Sequence, residues 1–137
     1  MSHEIELRED KELPRDQVLA LYRANKWSSA DKPDALLNHL RESPSVVSAW
    51  DGEELIGLGN VMSDGQLVAY YSHLLVSPER QNDGVGTRIA RRLMERYQNF
   101  HQQVLLADGQ SIEFYRRLGF TNAGSTQSMW IFQGDEH

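Results

Sequence analysis

Two glycines separated by one residue, Gly84 and Gly86, lie between a long apolar segment and an amphipathic one. Glycine lets a backbone turn tightly and come close to a ligand. The first turn of a helix also leaves amide hydrogens without partners, at the positive end of the helix dipole. A loop over residues 81–87 that leads into a helix is therefore suited to an anionic diphosphate. The alternative is a plain turn in which glycine only begins the helix.

Two familiar phosphate-binding patterns do not fit this loop. No Gly-Lys-Ser/Thr follows the glycines, as a P-loop requires, and the third glycine of the dinucleotide fingerprint is missing. Asp83 places a carboxylate within the loop, which is unusual for phosphate binding. Its side chain is therefore expected either to point away from the ligand or to cap the helix N-terminus.

A second motif follows the loop by about thirty residues. The segment over residues 111–120 contains an aromatic pair, Phe114 and Tyr115, and ends in Gly119 and Phe120. It resembles the Phe-Tyr-x-x-x-Gly-Phe helix of the GNAT acetyltransferase superfamily. Residues 76–86 resemble the cofactor motif of that family, which is Arg or Gln, any two residues, Gly, any residue, then Gly or Ala. Two motifs in this order are far more specific than either alone.

The resemblance is clear over residues 66–120, and the order of elements extends it to the whole chain. It implies acetyl-CoA as co-substrate and a primary amine of a small molecule or peptide as acceptor. It also implies that the cofactor is bound by Leu75, Val76, Gln81, Asn82, Asp83, Gly84, Val85, Gly86, Thr87, Asp108 and Ser111. Asp108 and Ser111 are departures, because the family often has Asn and Ala there. An ionised Asp108 accepts a hydrogen bond but donates none.

Acetyl transfer to an amine requires three kinds of help. An alkyl amine with a pKa near ~10 is mostly protonated at neutral pH, so a base must remove a proton. The tetrahedral oxyanion needs a hydrogen-bond donor. The resemblance implies a backbone amide near Leu75 or Val76 for this role, beside a gap between strands that receives the pantetheine arm. It also implies that Tyr115 gives a proton to the departing thiolate, although Tyr115 could instead pack beside Phe114.

The sequence does not identify the general base. Alternation along a strand predicts that Tyr70, Ser72 and Leu74 share one face with Val76. Tyr70 could relay a proton through water. His73 has a reference pKa near ~6.5 but is expected on the opposite face, as a buried structural histidine. The base could otherwise come from the N-terminal helices, or water alone could serve.

Composition narrows the possible partners. A net charge of −6 disfavours a nucleic-acid partner and suits cationic acceptors, or it serves solubility alone. The chain has no cysteine, so the amine is expected to attack directly in a ternary complex, without an acyl-cysteine intermediate. Metal-ligand spacing is absent from the five histidines, His3, His39, His73, His101 and His137, so no metal is expected.

The location and assembly of the protein are expectations of a weaker kind. No run approaches the ~18 apolar residues of a membrane helix, so no membrane partner is expected. The first ten residues are charged throughout and do not resemble a secretory signal, which favours the cytoplasm. A homodimer stays open.

The elements that position these residues are predicted to form a single domain over residues 1–137. Their order is strand, two helices begun at Pro14 and Pro33, three hairpin-linked strands, helix, strand, helix and strand. We therefore predict an α/β (α+β mixed sheet) fold, GNAT-like, with about six or seven strands and helices on both faces. Residues 129–132 are predicted to close the sheet.

Other aromatic residues could shape an acceptor site. Tyr22, Trp27 and Trp50 either line the acceptor pocket or belong to the core. Residues 25–32, between the first two helices, are predicted to form a mobile lid over the acceptor.

Two other functions remain alternatives to an enzyme that transfers acetyl groups. A non-catalytic acyl-CoA-binding sensor or regulatory module would keep Gln81, Gly84 and Gly86 but would not need Tyr115. An unrelated ATP-binding domain is disfavoured, because no Lys-Ser/Thr follows the glycines.

Overall fold

The computed structural model describes residues 4–134. Its strands are β1 (Ile5–Arg8), β2 (Ser45–Asp51), β3 (Glu54–Ser63), β4 (Val68–Val76) and β5 (Gln102–Leu105). Its α-helices are α1 (Arg15–Ala24), α2 (Pro33–Glu42), α3 (Val85–Glu95) and α4 (Ser111–Arg117), and 3₁₀ turns cover Ser28–Asp31 and Pro78–Arg80. Pro14 and Pro33 stand at the starts of α1 and α2, where a missing amide hydrogen costs nothing.

The described strands form one mixed sheet in the order β1-β2-β3-β4-β5. Neighbouring strands are antiparallel except for β4 and β5, which are parallel. A parallel pair needs a crossover connection, and α3 provides it. The predicted mixed fold is confirmed, although residues 4–134 contain five strands rather than six or seven.

The prediction of a last strand over residues 129–132 was wrong. Met129 and Ile131 are 91% and 95% exposed, and no ladder includes this segment. Trp130 and Phe132 instead stack on each other with ring centroids 4.6 Å apart. Apolar residues favour a strand only where a neighbouring edge pairs with the backbone, and the sequence does not show whether such an edge is within reach.

Helices cover both faces of the sheet, as predicted. On one face lies the α1/α2 core, whose buried residues include Val18, Leu21, Tyr22, Leu36, Leu37, Leu40, Val46, Leu58 and Leu75. On the other lies the α3 core, whose buried residues include Val47, Ile56, Val61, Val76, Val85, Ile89 and Leu93. Because β4 is covered on both sides, its sequence is an almost continuous apolar run rather than an alternating one.

Helix α3 lies close to the sheet because two residues of β3 lack side chains. A Cβ added to Gly57 would come within 2.8 Å of Ile89 Cδ1. At Gly59 it would meet Ile89 Cγ2 and Leu93 Cδ1, both at 2.9 Å. Glycine is therefore required at these positions for close approach of the helix, not for a turn.

Strand β4 contains a bulge that shifts its register against β3. His73 pairs with Asn60, but the next pair joins Tyr71 to Val61, so Ser72 is an extra residue without a partner on β3. A bulge of this kind breaks the alternation of side chains along a strand.

The bulge corrects a prediction about β4. Ser72 and His73 both contact helices of the α1/α2 face, and both line one cavity with Tyr70. Leu74 and Val76 pack in the α3 core on the other face. The prediction that Tyr70 and Ser72 share a face with Leu74 and Val76 was wrong. His73 does lie on the face opposite to Leu74 and Val76, as predicted, but it shares that face with Tyr70 and Ser72. The prediction assumed strict alternation, which holds only without a bulge.

Strands β4 and β5 separate after a short parallel ladder. Their pairing begins at Val68 with Gln102 and ends at Tyr71 with Leu105. Beyond this point, residues 73–76 of β4 pair with β3 alone. We call this separation, bounded by residues 72–76 of β4 and the chain after Leu105, the β4–β5 fork. It corresponds to the gap that the family resemblance implied.

Candidate active site

The loop over residues 81–87 connects the end of β4 to α3 through two residues with positive φ. Asn82 has φ of +81° and Gly84 has φ of +80°, and α3 begins at Val85. No side chain of the described residues caps this helix, so its first amide hydrogens face outward without a side-chain partner. A Cβ added to Gly84 would meet no atom within 4 Å, so the space beside the loop is open.

Asp83 does not cap α3. Its carboxylate lies 3.4 Å from Nε of Arg80, and the same guanidinium contacts Asp51 at 2.6 Å. Of the two alternatives for Asp83, the structure therefore has the side chain paired with a neighbouring cation instead of the helix amides. This pairing also connects the loop to the turn between β2 and β3.

Gln81 connects the loop to the end of β4 through hydrogen bonds. Its Nε2 donates to the Val76 carbonyl at 3.0 Å and to Oδ1 of Asn25 at 3.2 Å. Asn25, which follows α1, donates to the same carbonyl at 3.1 Å. The side chain of Gln81 thus holds the loop in position against both β4 and α1.

Three of the predicted cofactor residues have side chains in the cores. Leu75 is buried in the α1/α2 core, and Val76 and Val85 are buried in the α3 core. Only their backbone groups are placed to contact a ligand. Thr87 lies half-buried in the first turn of α3.

Helix α4 packs over the start of α3 through Phe114. A Cβ at Gly86 would lie 3.6 Å from both Phe114 Cζ and Val76 Cγ2, which is an ordinary contact distance. An alanine therefore fits at this position without displacing its neighbours. This contact brings α4 beside both the loop and the end of β4.

Tyr115 lies on α4 in an aromatic setting. Its ring is 5.1 Å from that of Phe114 and 6.0 Å from that of Phe120. Burial raises the pKa of Tyr115 to about 12, so the phenol keeps its proton at neutral pH. Tyr115 is not part of the cavity lining described below.

Asp108 and Ser111 form a local turn at the start of α4. The Ser111 hydroxyl accepts a hydrogen bond from the Asp108 amide at 2.9 Å and donates one to the Asp108 carbonyl at 2.7 Å. The Ser111 side chain is therefore committed to stabilising this turn.

A cavity of about 520 Å³ opens where β4 and β5 separate. It is lined by Trp27, Ser28, Ser29, Asp31, Lys32, Tyr70, Ser72, His73, Leu106, Trp130, Phe132, Gln133 and Gly134. Its volume lies in the range of small-molecule sites, and its wall combines aromatic side chains with a few polar groups. Residues 27–32, which include the first 3₁₀ turn, form one wall of it, within the segment predicted to be a lid.

The predicted aromatic residues are only partly at this cavity. Trp27 lines it. Tyr22 is fully buried behind it, and its hydroxyl lies 2.8 Å from Nδ1 of His73. Trp50 belongs to the α1/α2 core and donates to the Ser48 hydroxyl at 2.8 Å, away from the cavity.

A polar cluster behind the cavity was not predicted from the sequence. Nε2 of His39, on α2, lies 3.0 Å from the Ser72 hydroxyl and 2.9 Å from Nδ2 of Asn60 on β3. A fully buried asparagine within an apolar strand was the available signal, because buried polar groups need hydrogen-bond partners. Its partner on α2 could not be identified from spacing along the chain.

Burial shifts the titration of the groups around this cluster. It lowers the pKa of His39, which favours the neutral imidazole at pH 7. It raises the pKa of Tyr70, and it raises the pKa of Tyr22 far above its ordinary value. His39, Tyr70 and Tyr22 are therefore neutral side chains at pH 7.

Residues 4–134 contain no cluster of three or more His, Cys, Asp or Glu side chains that could hold a metal ion. His3 and His137 lie outside the described residues. No helix within the same range is long and apolar enough to cross a membrane.

Comparison with known sequences identifies relatives of this chain. The sequence profile of the "Acetyltransferase (GNAT) family" matches residues 9–120. A soybean (Glycine max) protein named "Probable acetyltransferase TAP2" is 34% identical over 90 residues. That match spans 63% of this chain but only 35% of the soybean protein.

Solved structures share the fold across nearly the whole chain. A GNAT family acetyltransferase from Streptococcus pneumoniae superposes with a TM-score of 0.82 at 24% identity, covering 95% of this chain and 99% of that one. AAC(6')-Iy, solved in complex with the bisubstrate analogue CoA-S-monomethyl-acetylneamine, has a TM-score of 0.72 at 12% identity, covering 95% and 98%.

Proposed function

This chain belongs to the Acetyltransferase (GNAT) family, and on that premise we propose that it is an acetyl-CoA-dependent N-acetyltransferase. Its acceptor in this proposal is a primary amine of a small molecule or peptide. The amine attacks the thioester directly while both substrates are bound. The absence of cysteine from the chain agrees with this route.

The observation that carries the proposal is the meeting of three features at the β4–β5 fork. The strands separate after Tyr71 and Leu105, the uncapped start of α3 follows the end of β4, and the cavity opens on the same strand. An extended acyl arm needs backbone partners, its diphosphate needs amide donors, and the acceptor needs a pocket. The fork is therefore proposed to hold all three.

The residues fit the two ends of the cofactor differently. Outward-facing amides of residues 84–87 and the open space at Gly84 suit a diphosphate. The backbone of Leu75 and Val76 suits the arm, and an amide there suits the oxyanion. Asp108 and Ser111 would contribute from the turn before α4, mainly through backbone groups.

Tyr115 is proposed to assist the departure of the CoA thiolate. A thiol has a pKa near ~8.5, so complete proton transfer from a phenol with a pKa of about 12 is unfavourable. Donation of a hydrogen bond to the sulfur while the carbon–sulfur bond breaks is favourable for the same protonated phenol. Tyr115 is therefore proposed as a donor to the leaving group, on a helix held beside the loop by Phe114.

The bisubstrate complex of AAC(6')-Iy supports a ternary complex by analogy of fold. In that protein one bisubstrate ligand joins CoA to acetylneamine. The fork and the adjoining cavity of this chain allow the same arrangement, with the acceptor against β4.

Calorimetric titration with acetyl-CoA, with ATP as a control, tests the cofactor assignment. We expect micromolar binding of acetyl-CoA and no heat of binding with ATP. If acetyl-CoA does not bind, the loop over residues 81–87 is only a turn and the proposal fails. Binding of ATP instead would indicate the unrelated nucleotide-binding function.

Turnover separates an enzyme from a non-catalytic acyl-CoA sensor. The same protein is incubated with acetyl-CoA and a panel of primary amines, and release of the free thiol is followed. Thiol release that depends on the amine supports the proposal. Binding of acetyl-CoA without thiol release across the panel would favour the sensor.

A further inference from the structure

The Ser72 hydroxyl lies between the cavity and a half-buried histidine, His39. The bulge in β4 places Ser72 and His73 on the same face, so Ser72 lines the cavity while its oxygen lies 3.0 Å from Nε2 of His39. Its position on β4 is three residues before Leu75, which corresponds to about 10 Å along the strand. An acceptor in the cavity would thus lie between Ser72 and the end of β4.

Hydrogen bonds around Asn60 determine which atom is the donor in the contact between Ser72 and His39. The backbone N–H of His73 donates to Oδ1 of Asn60 at 3.0 Å, which fixes the orientation of the amide. Nδ2 of Asn60 must then donate, to the Ser43 hydroxyl and to Nε2 of His39, both at 2.9 Å. Ser43 can accept because its own hydrogen goes to the His39 carbonyl at 2.6 Å.

His39 therefore has a lone pair at Nε2. A nitrogen that accepts from Asn60 carries no proton, so neutral His39 is protonated on Nδ1. The Ser72 hydroxyl, near the same nitrogen, donates its hydrogen to the same lone pair, which it shares with the Asn60 amide. The lone pairs of the serine oxygen are then available on the cavity side.

The groups that face His39 leave it as the available proton acceptor. The ring of His73, on β4, has its centroid 5.0 Å from that of His39. The Tyr22 hydroxyl, on α1, lies 2.8 Å from Nδ1 of His73. Tyr22 is buried with a raised pKa, and within residues 4–134 its hydroxyl has His73 as its one hydrogen-bond partner, so it donates to Nδ1. The lone pair of His73 at Nδ1 is then engaged by Tyr22. Tyr70, with a raised pKa, also stays protonated.

We propose that His39 takes the proton of the acceptor amine through the Ser72 hydroxyl, and that Asn60 is a positioning residue for this relay. The inference rests on the proposed N-acetyltransferase function and identifies its general base. It assigns roles to residues of α2 and β3 that no sequence motif marks.

The relay balances in protons and electrons. The acceptor enters as an ammonium ion. One of its protons passes to the Ser72 oxygen, while the original Ser72 hydrogen passes to Nε2 of His39, so His39 becomes imidazolium and Ser72 is neutral again. The free amine then forms a bond to the thioester carbon, and the carbonyl π pair moves to oxygen. The oxyanion pair re-forms the carbonyl while the carbon–sulfur bond breaks with its pair on sulfur. The sulfur takes the second proton from the new N–H⁺ group, and the imidazolium returns its proton to solvent.

Steady-state kinetics of matched serine variants test the relay, with the best amine from the panel as acceptor. We expect Ser72→Ala to lower kcat by about 10²–10⁴-fold with an unchanged KM for acetyl-CoA. Ser72→Thr keeps a hydroxyl and is expected to retain at least about a tenth of the activity. Ser48→Ala is the control, because Ser48 is also a strand serine with hydrogen bonds but is buried outside the cavity. Equal activity of Ser72→Ala and Ser72→Thr would overturn the proposal.

The pH profile tests the histidine. In the unaltered protein, kcat/KM is expected to rise with pH through the pKa of His39, which lies below ~6.5. At higher pH it should be constant. In His39→Gln it should rise about tenfold per pH unit up to the amine pKa near ~10, because only free amine then reacts. The double variant with Ser72→Ala should be no worse than either single variant, since the two act as a unit. If folded His39→Gln protein shows the same fall in kcat/KM at low pH as the unaltered protein, the relay is overturned.

Imidazole ¹⁵N NMR tests the proton positions without an acceptor. His39 is expected to be neutral at pH 7 with its proton on Nδ1, and His39→Gln identifies its signals. A proton on Nε2, or a charged ring at pH 7, would overturn the proposal.

Thiol release by the unaltered protein distinguishes failure of the proposed function from failure of the relay. If it is absent, the proposed function fails and the relay with it, whereas full activity of the variants removes the relay alone.

Discussion

Single side chains of this site act through their protonation state, which burial sets. Tyr115 is kept protonated by burial, with a pKa of about 12, whereas burial keeps His39 neutral by lowering its pKa. The same physical cause thus gives a donor on α4 and an acceptor on α2. The fork is proposed to hold the reacting carbonyl within reach of both groups.

Replacement of Tyr115 by Phe removes the phenol and keeps the ring that packs on Phe114 and Phe120. We expect kcat to fall by ~10-fold or more, because a donor to the leaving thiolate is lost. The affinity for acetyl-CoA should stay within about twofold, since the ring packing is retained. Thiol release and calorimetry measure the two quantities. Full activity of this variant would assign Tyr115 to packing alone.

At the scale of elements, glycines serve two separate purposes. Gly84 adopts a positive φ that turns the loop into α3, whereas Gly57 and Gly59 of β3 allow α3 to lie close to the sheet. The first use creates the outward-facing amides, and the second fixes the distance between helix and strand. Together they decide where the start of α3 stands relative to β4.

A matched pair of glycine variants tests the loop. Gly84→Ala and Gly65→Ala introduce the same side chain at φ values of +80° and +75°, each with no atom within 4 Å. Both should lose about 1–2 kcal/mol of unfolding free energy from backbone strain. We expect only Gly84→Ala to weaken acetyl-CoA binding, by about tenfold or more, because its methyl occupies the diphosphate side of the loop. Equal affinities in calorimetry would place the diphosphate elsewhere.

A second glycine pair tests the packing of α3. Gly59→Ala should lower the free energy of unfolding by about 1–3 kcal/mol, because its methyl would overlap Ile89 and Leu93. Gly86→Ala should cost no stability and keep acetyl-CoA binding, since its methyl meets neighbours at 3.6 Å. Urea unfolding provides the comparison. If Gly59→Ala is as stable as the unaltered protein, α3 can move away from the sheet at little cost.

At the scale of the whole molecule, one sheet separates two cores and opens between its last two strands. The α1/α2 core supports His39 and Tyr22 behind the cavity, and the α3 core supports the loop at the end of β4. A ligand that spans the fork would contact elements from both halves of the chain. Its binding should therefore stabilise the fold as a unit.

Acetyl-CoA is accordingly expected to raise the unfolding temperature. At a hundred times its dissociation constant, a ligand that binds only the folded state adds about 2.7 kcal/mol. For a domain of this size, the increase in Tm is roughly 10 °C. Thermal scans with acetyl-CoA, with ATP and with Gly84→Ala supply the comparison. The same increase with ATP, or in Gly84→Ala, would contradict the assigned binding loop.

Most of the elements could be predicted from the sequence because their signals are local. Proline at the first turn of α1 and α2, the apolar stripe of α3 and the glycine turn before it each depend on neighbouring residues alone. The two motifs over residues 76–86 and 111–120 likewise identified the family that the profile match confirms. The roles of the residues in these motifs stay predictions.

The arrangement of the site was decided only by the tertiary structure. A single extra residue in β4 placed His73 beside Ser72, and the end of the β4–β5 ladder set the position of the fork. The partner of Ser72 lies 33 positions away on α2, so no periodicity connects them. Residues 129–132 have strand-like composition but no paired edge. Register, strand pairing and contacts between distant elements are settled when the cores pack, because each depends on residues far apart in the chain.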